Sequence, residues 1–158
     1  FTSKNELYIA VLRRACHDAS QHLDDLGNAG APLPARLELF AREHLKSLLE
    51  HEPVTRLILR ELLGGNPRAG QELAEKVYGE KFARFVAILR TGQQAGELRA
   101  DVDPAMVAAL LIGANVFFFE SREVLQHFPD VGFSQKPERY SAMLADILLR
   151  GILPAVKP

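Results

Sequence analysis

The stretch "AMVAALLIGANVFFF", residues Ala105–Phe119, sets the architecture of this chain. Wound into a helix, it is apolar in every direction, with Asn115 the single polar residue. A membrane span needs roughly 20 apolar residues, so the run is too short to cross a bilayer. A helix apolar on every side is buried on every side. In a small domain one side meets the chain's own core, and the other is expected to meet a second copy. The alternative is a central helix wrapped wholly by its own chain.

The last helical segment favours the partner. Tyr140, Met143, Leu144, Ile147, Leu148 and Ile152 form one apolar stripe, and Ala142, Ala145 and Leu149 leave the opposite side only weakly polar. Two such helices from each of two chains make an intermolecular four-helix bundle with two-fold symmetry. The expected interface residues are Leu111, Ile112, Val116, Met143, Ile147 and Leu148.

Proline and glycine divide the rest. Pro34, Pro53, Pro67, Pro104 and Pro137 each stand before a helix-period segment, where a missing N–H needs no partner. Asn66 and Asp103 add an N-cap directly before two of them. Gly27, Gly64-Gly65, Gly96 and Gly151 fall near the opposite ends, as helix-closing residues do. At the start, Ser3 and Glu6 form a capping box. The segments run over 3–26, 34–51, 53–63, 67–95, 103–127 and 137–153. No run alternates with period two, so no strand is expected. Six helices with short connections predict an all-α bundle. Tyr8, Val11, Leu12, Ala15, Ala19, His22 and Leu26 stripe the first helix, and Leu37, Phe40, Ala41, His44, Leu45 and Leu48 the second.

With 158 residues and 47% hydrophobic residues, the chain has material for one folded domain with its own core. A net charge of -1 excludes a basic nucleic-acid-binding body. Cys16 is the only cysteine; it permits no internal disulfide, fits a reducing cytoplasm and reads as a buried small hydrophobe.

Three stretches then resemble TetR-type transcriptional regulators. Phe1, Ser3, Lys4, Leu7, Tyr8, Ala10, Val11 and Leu12 are similar to the junction that follows that family's DNA-reading helix-turn-helix. "GELRADVDPAMVAALLIGA", Gly96–Ala114, is similar to the passage into its penultimate helix, and "LLRGILP", Leu148–Pro154, to its ending. The resemblance implies N-terminal helices for DNA followed by a ligand-binding, dimerising body. The six helices match the body, and the helix-turn-helix is not in the sequence. The expectation is therefore a fragment of a longer regulator, with operator DNA bound only through the missing part. The resemblance also implies that Lys4, at a helix N-terminus suited to phosphate, touches the DNA backbone in the full-length protein.

A ligand site in such a body shows as polar residues on apolar faces. Stepping at about 100° per residue selects His44, Glu61 beside Leu57 and Ile58, Gln93 on the stripe of Phe82, Val86 and Leu89, and Asn115, Phe118 and Arg122. Buried polar groups are costly unless paired. Either these residues pair with one another, or with the aromatics they line a cavity for a small apolar or aromatic effector. The expected site is His44, Glu61, Phe82, Phe85, Leu89, Gln93, Asn115, Phe118 and Arg122. Tyr78, Phe82 and Phe85 fit the core more readily than a ligand contact, and Arg122 stands near a helix end.

Enzyme chemistry finds no support. H-x-x-x-H, P-loop and G-x-S-x-G patterns are missing, and His17 and His22 are spaced wrongly to share a helix face. "LLGGNPRAG" follows a helix rather than a strand, so it does not read as a phosphate loop. No cofactor, metal or membrane partner is expected. The reading is a cytoplasmic, ligand-responsive transcriptional regulator, a repressor, acting as a homodimer. The alternative is a structural helical dimerisation module without a ligand, and an enzyme with an unrecognised helical site stands third.

Overall fold

The structure, a computed structural model, describes residues 4–18, 21–27, 30–64 and 67–154. The helices are α1 (Lys4–Asp18), α2 (Gln21–Gly27), α3 (Leu33–Glu50), α4 (Glu52–Leu63), α5 (Pro67–Leu73), α6 (Gly79–Gln94), α7 (Pro104–Leu125) and α8 (Pro137–Ile152), with a π-helical turn, Ala74–Tyr78, joining α5 to α6. There is no strand among the described residues. The Ser3–Glu6 capping box and the Lys4, Cys16, His17 and His22 side chains lie outside what is described.

The expected starts agree where proline marks them. Pro34, Pro53, Pro104 and Pro137 each occupy the first turn of their helix, and Asp103 Oδ1 caps α7 by accepting from Ala105 N at 2.7 Å. Two expected helices are subdivided. Residues 3–26 form α1 and α2, and residues 67–95 contain the π turn. A Cβ on Gly79 would run into the Ala74 carbonyl oxygen, so this turn requires glycine at its exit.

α3 is the centre of the bundle, lying against α2, α7 and α8. Its Leu33, Leu37, Phe40 and Ala41 join Phe85, Val86 and Leu89 of α6, Val107, Ala108 and Leu111 of α7, and Leu149 and Ile152 of α8 in the main core. A second, smaller cluster joins Leu12 of α1 to Leu73 and Val77, with Tyr8, Leu57, Ile58 and Tyr78 packed against it. Val11, expected on the buried stripe of α1, is exposed.

α8 turns its small residues inward and part of its bulky stripe outward. Its buried residues are Ser141, Ala145, Leu149 and Ile152, while Met143 and Ile147 face solvent. Small side chains at 141 and 145 let α8 approach α3 closely, and the Ser141 hydroxyl is satisfied by donating to Pro137 O. α7 likewise is not enclosed on every side: Met106, Leu110 and Phe117 are exposed. At 22 residues it is also, by length and composition, long enough to cross a membrane, unlike the apolar run alone. Its packing against α3, α6 and α8 accounts for its apolarity within a bundle.

The connection from α6 to α7 ties several helix ends together. Gly96, at φ 78, closes α6 in a left-handed conformation that suits glycine. Gly96 N donates to Gln93 O and Glu97 N to Gly92 O, the paired bonds of a Schellman motif. Glu97 Oε2 accepts from Leu33 N at 2.7 Å, capping α3. Arg99 donates through its backbone to Ile152 O and through Nη1 to Gly151 O, covering carbonyls that end α8. The Gln93 amide donates to Arg99 O and Val102 O, at 2.8 and 2.9 Å. Gln93, expected in a ligand site, is thus committed to the loop.

Candidate functional site

The inner side of α7 carries Asn115 and Phe118, both fully buried. Ala41 and His44, one turn apart on α3, meet Asn115 from the facing helix. The Asn115 amide nitrogen lies 2.9 Å from Ala41 O and 3.1 Å from His44 Nδ1. Ala41 O can only accept, which fixes the amide with Nδ2 on this side. His44 Nδ1 then accepts too, so the ring carries its proton on Nε2. The His44 ring is stacked 5.5 Å from Phe40, and Phe40 meets Phe85 at 4.6 Å. Phe118 stacks on Tyr140 of α8 at 4.2 Å. The Tyr140 hydroxyl donates to Ala114 O at 2.6 Å, and burial pushes this phenol above its usual pKa. The Asn115 carbonyl oxygen, Oδ1, is buried and accepts no hydrogen bond among the described residues.

Further along α7, Arg122 donates to Glu52 Oε2 of α4 at 2.9 Å, and Glu52 also accepts from Arg56. The Arg56 hydrogen bond holds the Glu52 carboxyl below its usual pKa, and the Arg122 charge adds to this. Both guanidinium groups lie over the Phe119 ring, 5.3 and 5.8 Å from its centre, within cation–π range. Glu52 and Arg56, four residues apart on α4, are therefore part of a wider cluster with Arg122.

The other expected ligand residues are dispersed. Glu61 is half-buried on α4 and turns toward Tyr8 of α1. Burial, and then the Glu61 carboxylate, raise the Tyr8 phenol, and Arg60 opposes them. Phe82 is exposed, whereas Phe85 and Leu89 belong to the main core. His44, Asn115 and Phe118 are thus brought together, Arg122 lies beyond them, and Glu61 stands with α1.

The outer side of α7 is different. Met106, Leu110, Phe117 and Val124 are exposed along it, and Met143 and Ile147 are exposed on α8, Ile147 by 69%. Leu111, expected at an interface, is 1% exposed and packed in the chain's own core; its neighbour Leu110 holds the outward position. Ile112 and Leu148 pack partly against that core, and Val116 is half-buried. Sequence reasoning also missed a surface hollow of about 440 Å³ in the α7–α8 connection, lined by Gln126, His127, Phe128, Lys136 and their neighbours. It is built by a loop, where periodicity carries no signal. Among the described residues no group of three or more His, Cys, Asp or Glu is placed to hold a metal ion.

Residues 32–128 match the family model of the tetracyclin repressor-like C-terminal domain. Among solved structures, a protein of unknown function from Rhodococcus sp. RHA1 superposes with a TM-score of 0.75 at 16% identity, over 98% of this chain and 75% of that one. A transcriptional regulator of the TetR/AcrR family from Thermobifida fusca YX-ER1 superposes with a TM-score of 0.61 at 21% identity, over 96% of this chain and 75% of that one. At these identities the two likenesses speak to fold alone. No curated protein matches the sequence.

Proposed function

This chain belongs to the family of tetracyclin repressor-like C-terminal domains, which are regulatory and not enzymatic, and from that membership we propose that it is the effector-binding, dimerising body of a transcriptional repressor. The observation that carries the reading is the two-sidedness of α7. One side turns the lone amide of the helix, Asn115, inward beside His44 and Phe118. The other exposes a stripe of large apolar side chains continued by Met143 and Ile147 of α8. A ligand site is mostly apolar with few polar anchors, and an exposed apolar stripe of this kind marks an association surface.

In this reading the effector is small and apolar or aromatic. It opens the space about His44, Asn115 and Phe118, with Glu61 and Arg122 at its margins. Two copies join through α7 and α8 about a two-fold axis. Effector binding shifts the population toward a body in which α1 is displaced, and Lys4, at the start of α1, contacts an operator phosphate in a longer cytoplasmic regulator. The packing of Asn115 and Phe118 within their own chain favours a second reading, a dimerisation module that takes no ligand.

Sedimentation at micromolar concentration tests the association, with a dimer expected for the wild type and a monomer for Ile147→Glu. A wild-type monomer overturns it. Thermal melting of the purified chain with a panel of apolar aromatic compounds separates the two readings: a concentration-dependent rise in Tm is expected, and a melting point that none of them moves leaves the ligand-free module.

A further inference from the structure

We propose that the effector carries a hydrogen-bond donor, a phenol or an amide N–H on a flat apolar body, and that Asn115 Oδ1 receives it. This rests on the effector-binding reading above and names the ligand chemistry. Asn115 is fully buried, and its Nδ2 faces two acceptors, Ala41 O and His44 Nδ1, which engages both amide hydrogens. Turning the amide over would set Oδ1 against the Ala41 carbonyl, so the orientation is determined. Among the described residues Oδ1 is left buried without a donor. From Ala105 to Phe119 every other side chain of α7 is apolar or absent, so α7 supplies no donor to this oxygen there.

A buried acceptor without a partner is costly to the fold, and an incoming donor removes that cost. A ligand carboxylate or phosphate would instead meet a second acceptor, so an anionic group is disfavoured at this end. Flat character follows from the neighbours, since Phe118 already stacks on Tyr140 and His44 on Phe40. Oδ1 has no exposed surface, so the ligand binds a state in which α7 parts slightly from its neighbours. Binding is thereby linked to a movement of the helix that also carries the exposed stripe.

The test uses three probes of one shape: 2-naphthol, naphthalene and 2-naphthoate. Calorimetry on the wild-type chain is expected to rank 2-naphthol at least about tenfold tighter than the other two, within the selectivity of a site built to pair a buried polar group. In Asn115→Leu the three affinities are expected to converge. Equal wild-type affinities, or a naphthol preference that survives in Asn115→Leu, overturn the donor assignment while leaving effector binding intact. Binding of none of the three overturns this inference and the aromatic-effector reading together. If Asn115→Leu does not fold, the Asn115 side-chain amide and carbonyl NMR shifts of the wild type replace it. They are expected to move with 2-naphthol and not with naphthalene, and shifts that ignore naphthol overturn the assignment.

Discussion

Around α3, among the described residues, fifteen buried apolar side chains from five helices and the α6–α7 connection meet in one cluster, whereas α1 is held to α5 and the π turn by a cluster of three. The large cluster also has ties of other kinds: aromatic pairs between α3 and α6 and between α7 and α8, and caps from the 95–103 loop. At the α1 end, the Glu61 carboxylate bears on the Tyr8 phenol. The contrast predicts that the frame around α3 is locally more stable than the contact of α1 with the π turn. A regulator body needs both: a frame to hold its shape, and a helix that can shift when the interior is filled.

The contrast is tested most strongly by matched truncations. Phe85→Ala, in the large cluster, is expected to lower global stability by about 3–5 kcal/mol, read by urea denaturation. Leu12→Ala, in the small one, is expected to cost less globally and to speed hydrogen exchange selectively in α1. Equal global losses would mean that the two regions unfold as one. Gly92→Ala comes next. Its new methyl meets Leu33 Cδ2 inside contact distance, and Leu33 is fully buried, so a loss of about 1–3 kcal/mol from overpacking is expected. The same change at Gly70, where nothing crowds a Cβ, is expected to be neutral or stabilising.

Tyr140 and Tyr8 compare the regions through their titration. Burial raises Tyr140, so the folded state favours the neutral phenol. That contribution is complete below the unfolded value, about 10, and is lost as pH rises through the higher folded value. Tyr140→Phe also deletes the bond to Ala114 O, an expected loss of about 0.5–1.5 kcal/mol at neutral pH, and it should flatten the alkaline decline in stability. The smallest effect expected is that of Glu61→Gln. It should lower the Tyr8 pKa, seen as earlier tyrosinate absorbance, and leave Tyr140 where it is. A change in both would mean that Glu61 acts through the whole bundle rather than on α1.

What the sequence made legible follows from how sharply each residue type is tied to one environment. Proline at a helix start has a steric reason to be there, and the starts of α3, α4, α7 and α8 were accordingly readable. Asp103 before Pro104 marked an N-cap that forms. The phase of α7 was not readable, because a helix with apolar residues all round has no polar face to orient it. Leu110 and Leu111 differ only by a turn of about 100°, and that turn separates solvent from core. On α8, Met143 and Ile147 of the bulky stripe point outward, and the small Ser141 and Ala145 mark the close approach to α3. Asn115 and His44 were visible as polar residues on apolar faces, but their partnership depends on where α3 and α7 cross. Gln93 looked like one of them, yet its partners are loop carbonyls that no periodicity reveals.

The 95–103 connection has a practical meaning for anyone who re-engineers this chain. Viewed as an exposed run between two helices, it is an obvious place to splice in an epitope tag, a fluorescent reporter or new termini by circular permutation. Its residues cap α3 through Glu97, cover the end of α8 through Arg99 and start α7 through Asp103. An insertion there would separate caps that secure three helices at once. The better graft site is the α7–α8 connection near Asp130, which is exposed and lies between helices rather than fastening them.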